Sequence, residues 1–351
     1  METENKDETE FKKELLLSVE DLCVSFNTYA GQVQAVRGAS WKLYEQETIA
    51  IVGESGCGKT VSIQTCMGLL QKPAGRIKGG RIVYHGKDIT AYSNKQWRKI
   101  QGNEMTMIFQ DPLTYLNPTM RVGDQISEAY LEHNKGRSKK QAQARVLEIM
   151  KMVSLPNPEY NMRCYPHQLS GGMRQRVMVA MALVCDPAIL FADEPTTALD
   201  VTIQAQIIDL MNSLKNNLSA SIVLITHDLG VVANMAERIY VMYAGKIVEH
   251  ADADTLFRSP RHPYTWGLLA SVPRLDSAGN TLMSVPGTPP DLLNPPKGCP
   301  FASRCKYTMN ICTDSMPATY RFDEPEHYAA CWLYDPQAKK MPEPHEGGTG
   351  I

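Results

Sequence analysis

Residues 48–60 read TIAIVGESGCGKT, and this stretch decides the fold. Its first part, Thr48–Val52, is apolar after the first residue, which is typical of a strand buried on both faces of a parallel sheet. The remainder fits the pattern G-x-x-x-x-G-K-[ST], and a helix-compatible segment begins near Lys59. A glycine-rich turn between such a strand and a helix presents backbone N–H groups and the positive end of the helix dipole to phosphate. The stretch therefore predicts a nucleotide-binding phosphate loop formed by Gly53, Glu54, Ser55, Gly56, Cys57, Gly58, Lys59 and Thr60.

Two residues of this loop have side-chain roles of their own. Lys59 supplies a positive charge to the β and γ phosphates, and the Thr60 hydroxyl is a candidate ligand for Mg²⁺. A chance glycine-rich turn would match the same pattern, but the strand before it and the helix after it favour the phosphate loop.

A second buried strand ends in two adjacent acidic residues. Residues 189–194 read ILFADE, so Asp193 and Glu194 emerge at the carboxyl edge of the predicted sheet. Asp193 is placed to hold Mg²⁺ through water, and Glu194 is placed to polarise the attacking water as general base. A strand that simply ends in solvated charges is the alternative, and the phosphate loop upstream argues against it.

Single polar residues follow two further predicted strands. Gln110 comes after Met107-Ile108-Phe109, and His227 comes after the strand Ser221–Thr226. Both side chains are expected at the edge of the sheet where the phosphates bind, because ligands of open α/β sheets bind at the carboxyl ends of the strands. Taken alone, either residue would be an ordinary loop residue.

Composition and charge exclude several classes of protein. The 351 residues are 43% hydrophobic and 21% charged, with a formal net charge of −2, which argues against a nucleic-acid-binding protein. No apolar run approaches the roughly 20 residues that span a bilayer. The polar segment 1–14 offers no signal peptide, and we interpret it as a disordered tail. A cytosolic chain that meets a membrane only through partners is therefore expected.

The order of the predicted elements indicates a mostly parallel α/β sheet. Apolar strands at 48–52, 188–192 and 221–226 alternate with helical segments. Residues 92–165 are richer in charged and amide side chains with helical spacing, clearest over Lys139–Val153, and predict a helical subdomain. After about His262 the chain is rich in proline, which excludes long regular elements.

Residues 169–173 read LSGGM, followed by Arg174-Gln175-Arg176, and resemble the signature sequence of ABC ATPases. Gln110, the segment 197–200 and His227 resemble the Q-loop, D-loop and H-loop of that family, in its order. The resemblance covers roughly residues 16–250. It implies an ABC-ATPase core with an antiparallel β part beside the parallel sheet. It also implies that Gln110 and His227 act with Glu194 in catalysis, and that Gln110 is a further Mg²⁺ ligand.

The same resemblance implies that two ATP-binding subunits enclose two ATP molecules head to tail. Ser170, Gly171 and Gly172 would contact the γ-phosphate held by the partner, and a helix that starts at Ser-Gly-Gly is a suitable anion site. Asp200 would lie at the seam between the subunits. Phe26 aligns best with the aromatic residue that stacks on adenine in relatives, with Tyr29 as a nearby competitor.

The tail narrows the resemblance to the peptide/nickel uptake branch, the ATPases of oligopeptide and dipeptide importers. The matching features, in chain order, are His262-Pro263-Tyr264-Thr265, Gly267-Leu268-Leu269, Pro273, Pro286-Gly287, Gly298-Cys299-Pro300-Phe301, Arg304-Cys305 and Ala330-Cys331. The predicted domains are accordingly an ATPase domain over 15–260, an importer extension over 261–335, and a disordered tail over 336–351.

Four of the nine cysteines lie in the extension, with the spacing C-x5-C-x6-C-x18-C. This spacing is neither a C-x2-C pair nor a ferredoxin run. Four thiolates in a Pro-rich segment could bind a metal that replaces a hydrophobic core, and relatives suggest a [4Fe–4S] cluster. Zinc is the first alternative, followed by free thiols or disulfides. The candidate ligands are Cys299, Cys305, Cys312 and Cys331.

The resemblance predicts an ATPase that energises peptide import from the cytoplasmic face of the inner membrane. Its partners would be a second, homologous ATPase subunit, two transmembrane permease subunits and an extracytoplasmic solute-binding protein. Import of nickel or another small solute is the alternative. A soluble ABC ATPase of DNA repair or translation is disfavoured by the single phosphate loop and balanced charge, and an exporter by the tail.

Overall fold

The computed structural model describes residues 13–196, 201–271 and 285–338. The described strands are β1 (Leu15–Thr28), β2 (Gly31–Tyr44), β3 (Thr48–Val52), β4 (Gly75–Tyr84), β5 (Lys87–Asp88), β6 (Met105–Ile108), β7 (Ile189–Asp193), β8 (Ser221–Thr226), β9 (Arg238–Tyr243), β10 (Lys246–Asp252), β11 (Tyr320–Arg321) and β12 (Tyr328–Ala329). The described helices are α1 (Lys59–Cys66), α2 (Asn94–Ile100), α3 (Pro112–Tyr115), α4 (Val122–His133), α5 (Lys139–Met152), α6 (Pro158–Asn161), α7 (Gly171–Leu183), α8 (Val201–Leu218), α9 (Leu229–Met235), α10 (Ala253–Arg258), α11 (Pro263–Ala270) and α12 (Asn310–Asp314).

The larger sheet has eight strands in the order β11-β12-β10-β9-β3-β8-β7-β6. Its central strands β9, β3, β8, β7 and β6 are parallel, while β10 and β12 continue it antiparallel. Every residue of β3, β7 and β8 is buried, as expected for apolar strands covered on both faces. The predicted parallel α/β sheet is confirmed, and the carboxyl ends of four of its strands, β3, β6, β7 and β8, lie at one edge of the sheet.

A second, antiparallel sheet has the order β2-β1-β4-β5. Its long strands β1 and β2 form a hairpin around Tyr29 and Ala30, and their inward side chains pack with those of β3 and α1 in one core. Trp41, one of the largest fully buried side chains, donates from its indole nitrogen to the Ser62 hydroxyl at 3.2 Å. This contact ties the antiparallel sheet to the first helix after the phosphate loop.

Helices dominate residues 92–165, but the segment also contains β6, which pairs with β7 in the larger sheet. Helices α4, α5 and α7 share a second core, and α5 spans nearly the whole predicted helix Lys139–Val153. Its first turn is closed by Ser138, whose hydroxyl accepts from the Gln141 backbone N–H while the Gln141 side chain accepts from the Ser138 N–H.

The extension is not separate from the ATPase core. Strands β12 and β11 add to the edge of the larger sheet beside β10, and a third core joins Tyr264, Phe301 and two of the cysteines to β9. A segment with too little apolar sequence for its own core therefore packs its apolar side chains into a core that it shares with the larger sheet. The predicted tails 1–14 and 336–351 lie mostly outside the described residues.

No helix among the described residues has the length and apolar character needed to cross a bilayer.

Candidate functional site

The phosphate loop joins β3 to α1 and can be built only with glycine at two of its positions. Gly53 has φ +149°, and a Cβ there would lie 2.1 Å from the Met242 carbonyl oxygen. Gly58 has φ +106°, and its Cβ would lie 2.4 Å from the Ala35 carbonyl oxygen. Both contacts are with backbone, so a side chain at either position would displace the loop.

Lys59 folds over the loop from the first turn of α1. Its ammonium donates to the carbonyl oxygens of Gly53 at 2.7 Å and Glu54 at 3.0 Å, and the residue is 5% exposed. The buried ammonium is thereby held at the mouth of the loop, where a phosphate oxygen would find a charged donor.

Thr60 and Asp193, two of the three predicted Mg²⁺ ligands, lie side by side at the edge of the sheet, while the third, Gln110, donates a hydrogen bond to Glu194. The Thr60 hydroxyl donates to Asp193 Oδ1 at 2.9 Å. Burial raises the pKa of the Asp193 carboxyl, while the Thr60 hydrogen bond and the Lys59 charge act in the opposite direction. A hydroxyl and a carboxylate are the hard oxygen ligands that Mg²⁺ prefers, so this donor set fits the ion.

Glu194 follows β7 and is held by the two polar residues predicted beside it. Gln110 Nε2 donates to Glu194 Oε2 at 2.9 Å, and His227 Nδ1 lies 3.4 Å from Oε1. The backbone of Glu194 has φ +47°, and its N–H donates to the Ile225 carbonyl at 2.8 Å. The strained turn directs the carboxylate out of the buried strand, and the three side chains converge as expected from their strand ends.

A pocket of about 580 Å³ is lined by most of these groups; Asp193, which is buried, is not part of its lining. Its lining includes six of the eight predicted loop residues together with Gln110, Glu194 and His227; the six are Glu54, Ser55, Gly56, Gly58, Lys59 and Thr60. Gly53 and Cys57 are outside this lining. Cys57 is 4% exposed, and burial raises the pKa of its thiol. Cysteine is accommodated here because it fills space beneath the loop.

The predicted signature residues lie at the start of α7, away from this pocket. Ser170 caps the helix by accepting from the Met173 backbone N–H at 3.3 Å, and both Ser170 and Gly171 are exposed. A Cβ on Gly172 would lie 3.0 Å from Ile203 Cγ2, so glycine lets α7 and α8 approach. Within the described chain, none of the three lines the pocket. Asp200 and the rest of 197–200 lie outside the described residues.

The two candidate aromatic residues differ in exposure. Phe26 lies on β1 opposite Val33, half-buried against the first core, while Tyr29 in the hairpin turn is fully exposed. Neither belongs to the lining of the phosphate pocket described above, so adenine stacking on Phe26 stays a prediction.

Two residues of the extension reach the phosphate loop, a role that the sequence motifs did not suggest. The Glu54 backbone N–H donates to the Tyr264 hydroxyl at 2.8 Å, and the Glu54 carboxylate pairs with Arg304 at 2.7 Å and 3.0 Å. Both residues fell within motifs that suggested only membership in the importer branch. Only the fold shows that these motifs lie behind the loop.

The four cysteines of the extension come together, but not as a metal site. Burial, with smaller contributions from the neighbouring Cys299, Cys305 and Cys312 thiols, raises the pKa of the Cys331 thiol to about 12. All nine cysteines of the chain are free thiols. Among residues 13–196, 201–271 and 285–338, no group of three or more His, Cys, Asp or Glu side chains could hold a metal ion. The structure therefore does not support the metal-binding part of the prediction.

Two family models match the chain. The ABC transporter model matches residues 36–197, and the model of the oligopeptide/dipeptide transporter C-terminal region matches residues 248–312. The two matches overlap the two parts of the chain that carried the family resemblance, roughly residues 16–250 and the tail motifs from 262 to 331.

Similar curated proteins are transport ATP-binding proteins. The chain is 54% identical to the dipeptide transport ATP-binding protein DppD of Bacillus subtilis over 93% of this chain and 97% of that protein. It is 53% identical to the oligopeptide transport ATP-binding protein OppD of the same organism, over 94% of this chain and 92% of that protein. It is 48% identical to the oligopeptide transport ATP-binding protein OppD of Salmonella typhimurium, over 86% of this chain and 90% of that protein.

Solved structures share the fold. The dimeric post-hydrolysis structure of an ATP-binding cassette bound to ADP and Pi superposes with a TM-score of 0.62 at 24% identity, covering 68% of this chain and 99% of that one. The structure of cbiO1 from Clostridium perfringens, part of the ABC transporter complex cbiONQ, superposes with a TM-score of 0.60 at 27% identity, covering 70% and 92%. The predicted ABC-ATPase fold of mixed sheets and helices is confirmed.

Proposed function

The chain belongs to the oligopeptide and dipeptide transport ATP-binding proteins of the ABC transporter family, and we propose that it hydrolyses ATP to energise the uptake of small peptides. The observation that carries this proposal is the convergence of Lys59, Thr60 and Glu194 on one pocket, with Gln110 and His227 holding the Glu194 carboxylate. The family predicted from the signature sequence and the tail is confirmed.

The geometry assigns separate tasks to these side chains. Lys59 and the loop N–H groups bind the phosphates, and Thr60 with Asp193 would hold Mg²⁺, which neutralises phosphate charge when bound. Glu194 accepts the proton of the attacking water, and Gln110 and His227 fix the carboxylate toward it. We also propose that His227 and Gln110 contact the γ-phosphate side of the pocket, since both line it.

A second ATP-binding subunit completes the site in this proposal. Ser170, Gly171 and Gly172 are placed at the exposed start of α7 and away from the chain's own phosphate loop, where they can meet the nucleotide of a partner. Asp200 would lie at the same seam. We favour a homologous sister chain as the partner. Two permease subunits and an extracytoplasmic solute-binding protein would complete an importer, with this chain peripheral on the cytoplasmic face of the membrane.

We further propose that residues 15–260 form the ATPase domain and 261–335 the importer extension, and that the extension's four cysteines bind a [4Fe–4S] cluster in the assembled protein. What supports the cluster is the proximity of four free thiols, three of them buried. Because these thiols do not form a metal-competent group here, binding requires their side chains to rearrange. Iron, sulfide and zinc content of protein purified without oxygen decides between the cluster, zinc and free thiols.

Peptide uptake in cells tests the function. Cells that lack this chain should fail to take up a labelled dipeptide, the native chain should restore uptake, and the Glu194→Gln variant should not. Lys95→Ala, an exposed substitution on α2, is the matched control and should restore uptake fully. Uptake that persists without the chain refutes the proposal.

Nickel or another small solute remains the second candidate, because the family resemblance includes nickel uptake. The same cells, assayed with labelled nickel, distinguish the two: loss of nickel uptake with unchanged dipeptide uptake would assign the chain to the metal. If cells that lack the chain take up both dipeptide and nickel normally, while the purified chain hydrolyses ATP, a soluble ABC ATPase would be favoured.

A further inference from the structure

The extension makes a direct ion pair with the phosphate loop. Arg304 Nη1 donates to Glu54 Oε2 at 2.7 Å, and Nη2 donates to Oε1 at 3.0 Å, a bidentate pair across 250 residues of sequence. The side chain of Arg304 is 4% exposed and that of Glu54 is 25% exposed. Such a pair is shielded from solvent on the arginine side, so it is not an ordinary surface salt bridge.

Contacts other than the ion pair with Glu54 also hold the Arg304 side chain in place. Its Nε donates to the Pro286 carbonyl at 2.8 Å, Nη2 donates to the Val285 carbonyl at 3.0 Å, and Nη1 also donates to the Tyr243 hydroxyl at 3.1 Å. These contacts, together with those to Glu54, use all of the nitrogen atoms of the guanidinium. The arginine is therefore a rigid part of the extension and not a flexible side chain that happens to meet a carboxylate.

Further contacts hold the same region. The Tyr264 hydroxyl, on α11, accepts from the Glu54 N–H at 2.8 Å, and Tyr264 itself is fully buried. The Leu292 carbonyl accepts from the Gln34 N–H at 2.9 Å, which attaches the extension to the β1–β2 hairpin. The extension thus supports the loop from behind at Glu54 and the adjoining hairpin at Gln34.

The position of Glu54 makes this pair relevant to nucleotide binding. Glu54 lines the phosphate pocket together with Lys59. An unpaired carboxylate there would repel a triphosphate and compete with it for the Lys59 charge, and both effects are strong where solvent is partly excluded. Arg304 cancels the carboxylate charge and holds it on the extension side of the loop.

We propose that Arg304 is a positioning residue of the ATP site, through which the C-terminal extension neutralises and orients Glu54 and so sets the affinity of the phosphate loop for ATP. This inference rests on the proposed function only in taking the phosphate loop as the ATP site. It gives the extension a task in nucleotide binding in addition to any task in assembly.

The test measures MgATP binding and steady-state hydrolysis with the purified full chain. Arg304→Met should raise the dissociation constant for ATP about tenfold, since one charge-assisted pair is lost, with kcat at saturating ATP within about twofold of native. Arg304→Lys keeps the positive charge but loses the planar guanidinium that binds both carboxylate oxygens, so it should raise the dissociation constant for ATP by only about threefold. Arg258→Met, an exposed arginine on α10, is the matched control and should leave both parameters unchanged.

A double variant separates electrostatic positioning from plain structural support. Glu54→Gln combined with Arg304→Met removes the unpaired carboxylate and should restore ATP affinity to within about twofold of native. Native affinity in Arg304→Met, or weakened binding that Glu54→Gln does not restore, overturns the proposal. If the Arg304→Met variant does not fold, ATP binding by the Arg304→Lys variant is the test, and native affinity in that variant refutes the proposal. Binding is read without transport, so a chain that binds ATP but imports no peptide fails the proposed function alone.

Discussion

Replacing Glu194 by glutamine isolates the proton-accepting step from everything else in the pocket. Glutamate and glutamine are nearly isosteric, and Gln110 and His227 can form hydrogen bonds with either side chain. The new amide oxygen can keep the Gln110 Nε2 contact at 2.9 Å, and its NH₂ can face His227 Nδ1 at 3.4 Å. The substitution therefore removes a base without opening a cavity or leaving a buried donor unpaired.

The expected loss is set by the contribution of a positioned general base. Such a group is worth about 10²–10⁴ in rate, or about 3–5 kcal/mol of activation free energy. We expect kcat to fall by that factor. The dissociation constant for ATP should stay within about threefold of native, because the proposed phosphate ligands are Lys59 and the loop, not Glu194. Because the bound ATP is not hydrolysed, the closed pair of ATP-binding subunits should also accumulate.

The assay has two parts: single-turnover hydrolysis at saturating MgATP, and size-exclusion chromatography with ATP and with ADP. Gln110→Glu is not an adequate control, because it adds a charge to the site, so Lys95→Ala serves instead. Hydrolysis by the Glu194→Gln variant at close to the native rate would show that another group accepts the proton. A large loss of ATP affinity would show that Glu194 is mainly a binding residue.

Three further outcomes are expected. Lys59→Ala should weaken ATP binding by about 10–100-fold, from the loss of charge-assisted hydrogen bonds, and unchanged affinity in a calorimetric titration would remove Lys59 from the phosphate site. Arg238→Met should lower the free energy of unfolding by about 3–5 kcal/mol, measured in urea, because it leaves the buried Glu47 carboxylate, 4% exposed, without its partner at 2.6 Å; a loss below about 1 kcal/mol would contradict this. Burial lowers the pKa of His262 in the folded chain to about 4, against a smaller opposing effect of Glu249. In the unfolded chain the imidazole has its ordinary pKa of about 6.5. As the pH falls below that value, the unfolded chain therefore binds a proton that the folded chain does not. Stability should then fall by up to about 1.4 kcal/mol per pH unit between about 6.5 and 4, and His262→Asn, which can still accept from the Tyr264 N–H, should flatten that dependence relative to native protein.

Most of the phosphate site could be predicted from the sequence because its parts are local. The loop pattern, the acids at the end of β7 and the single polar residues after β6 and β8 are each attached to a recognisable strand. Parallel strands present their carboxyl ends at one edge, so Gln110, Glu194 and His227 had to converge once the sheet was correct. The distances among them were not predictable, because they depend on the register and twist of the sheet.

The cysteine prediction shows the opposite case. The spacing placed four thiols in one proline-rich segment, and the fold does bring them near one another. Whether thiols near one another form a ligand set depends on side-chain directions, which no spacing rule states. The argument that this segment needs a metal because it lacks a core was also incomplete, since Phe301 and Tyr264 pack into a core shared with β9.

By itself, the sequence determined the family of this protein and predicted its chemistry, from a phosphate loop after a buried strand, a carboxylate pair at the end of another, and two family-specific motifs. Only the tertiary structure decided how the extension serves that chemistry, by placing Arg304 and Tyr264 against Glu54. The physical reason is range. Backbone conformation and strand burial are local consequences of residue type, whereas an ion pair across 250 residues exists only after the sheet has placed both ends side by side.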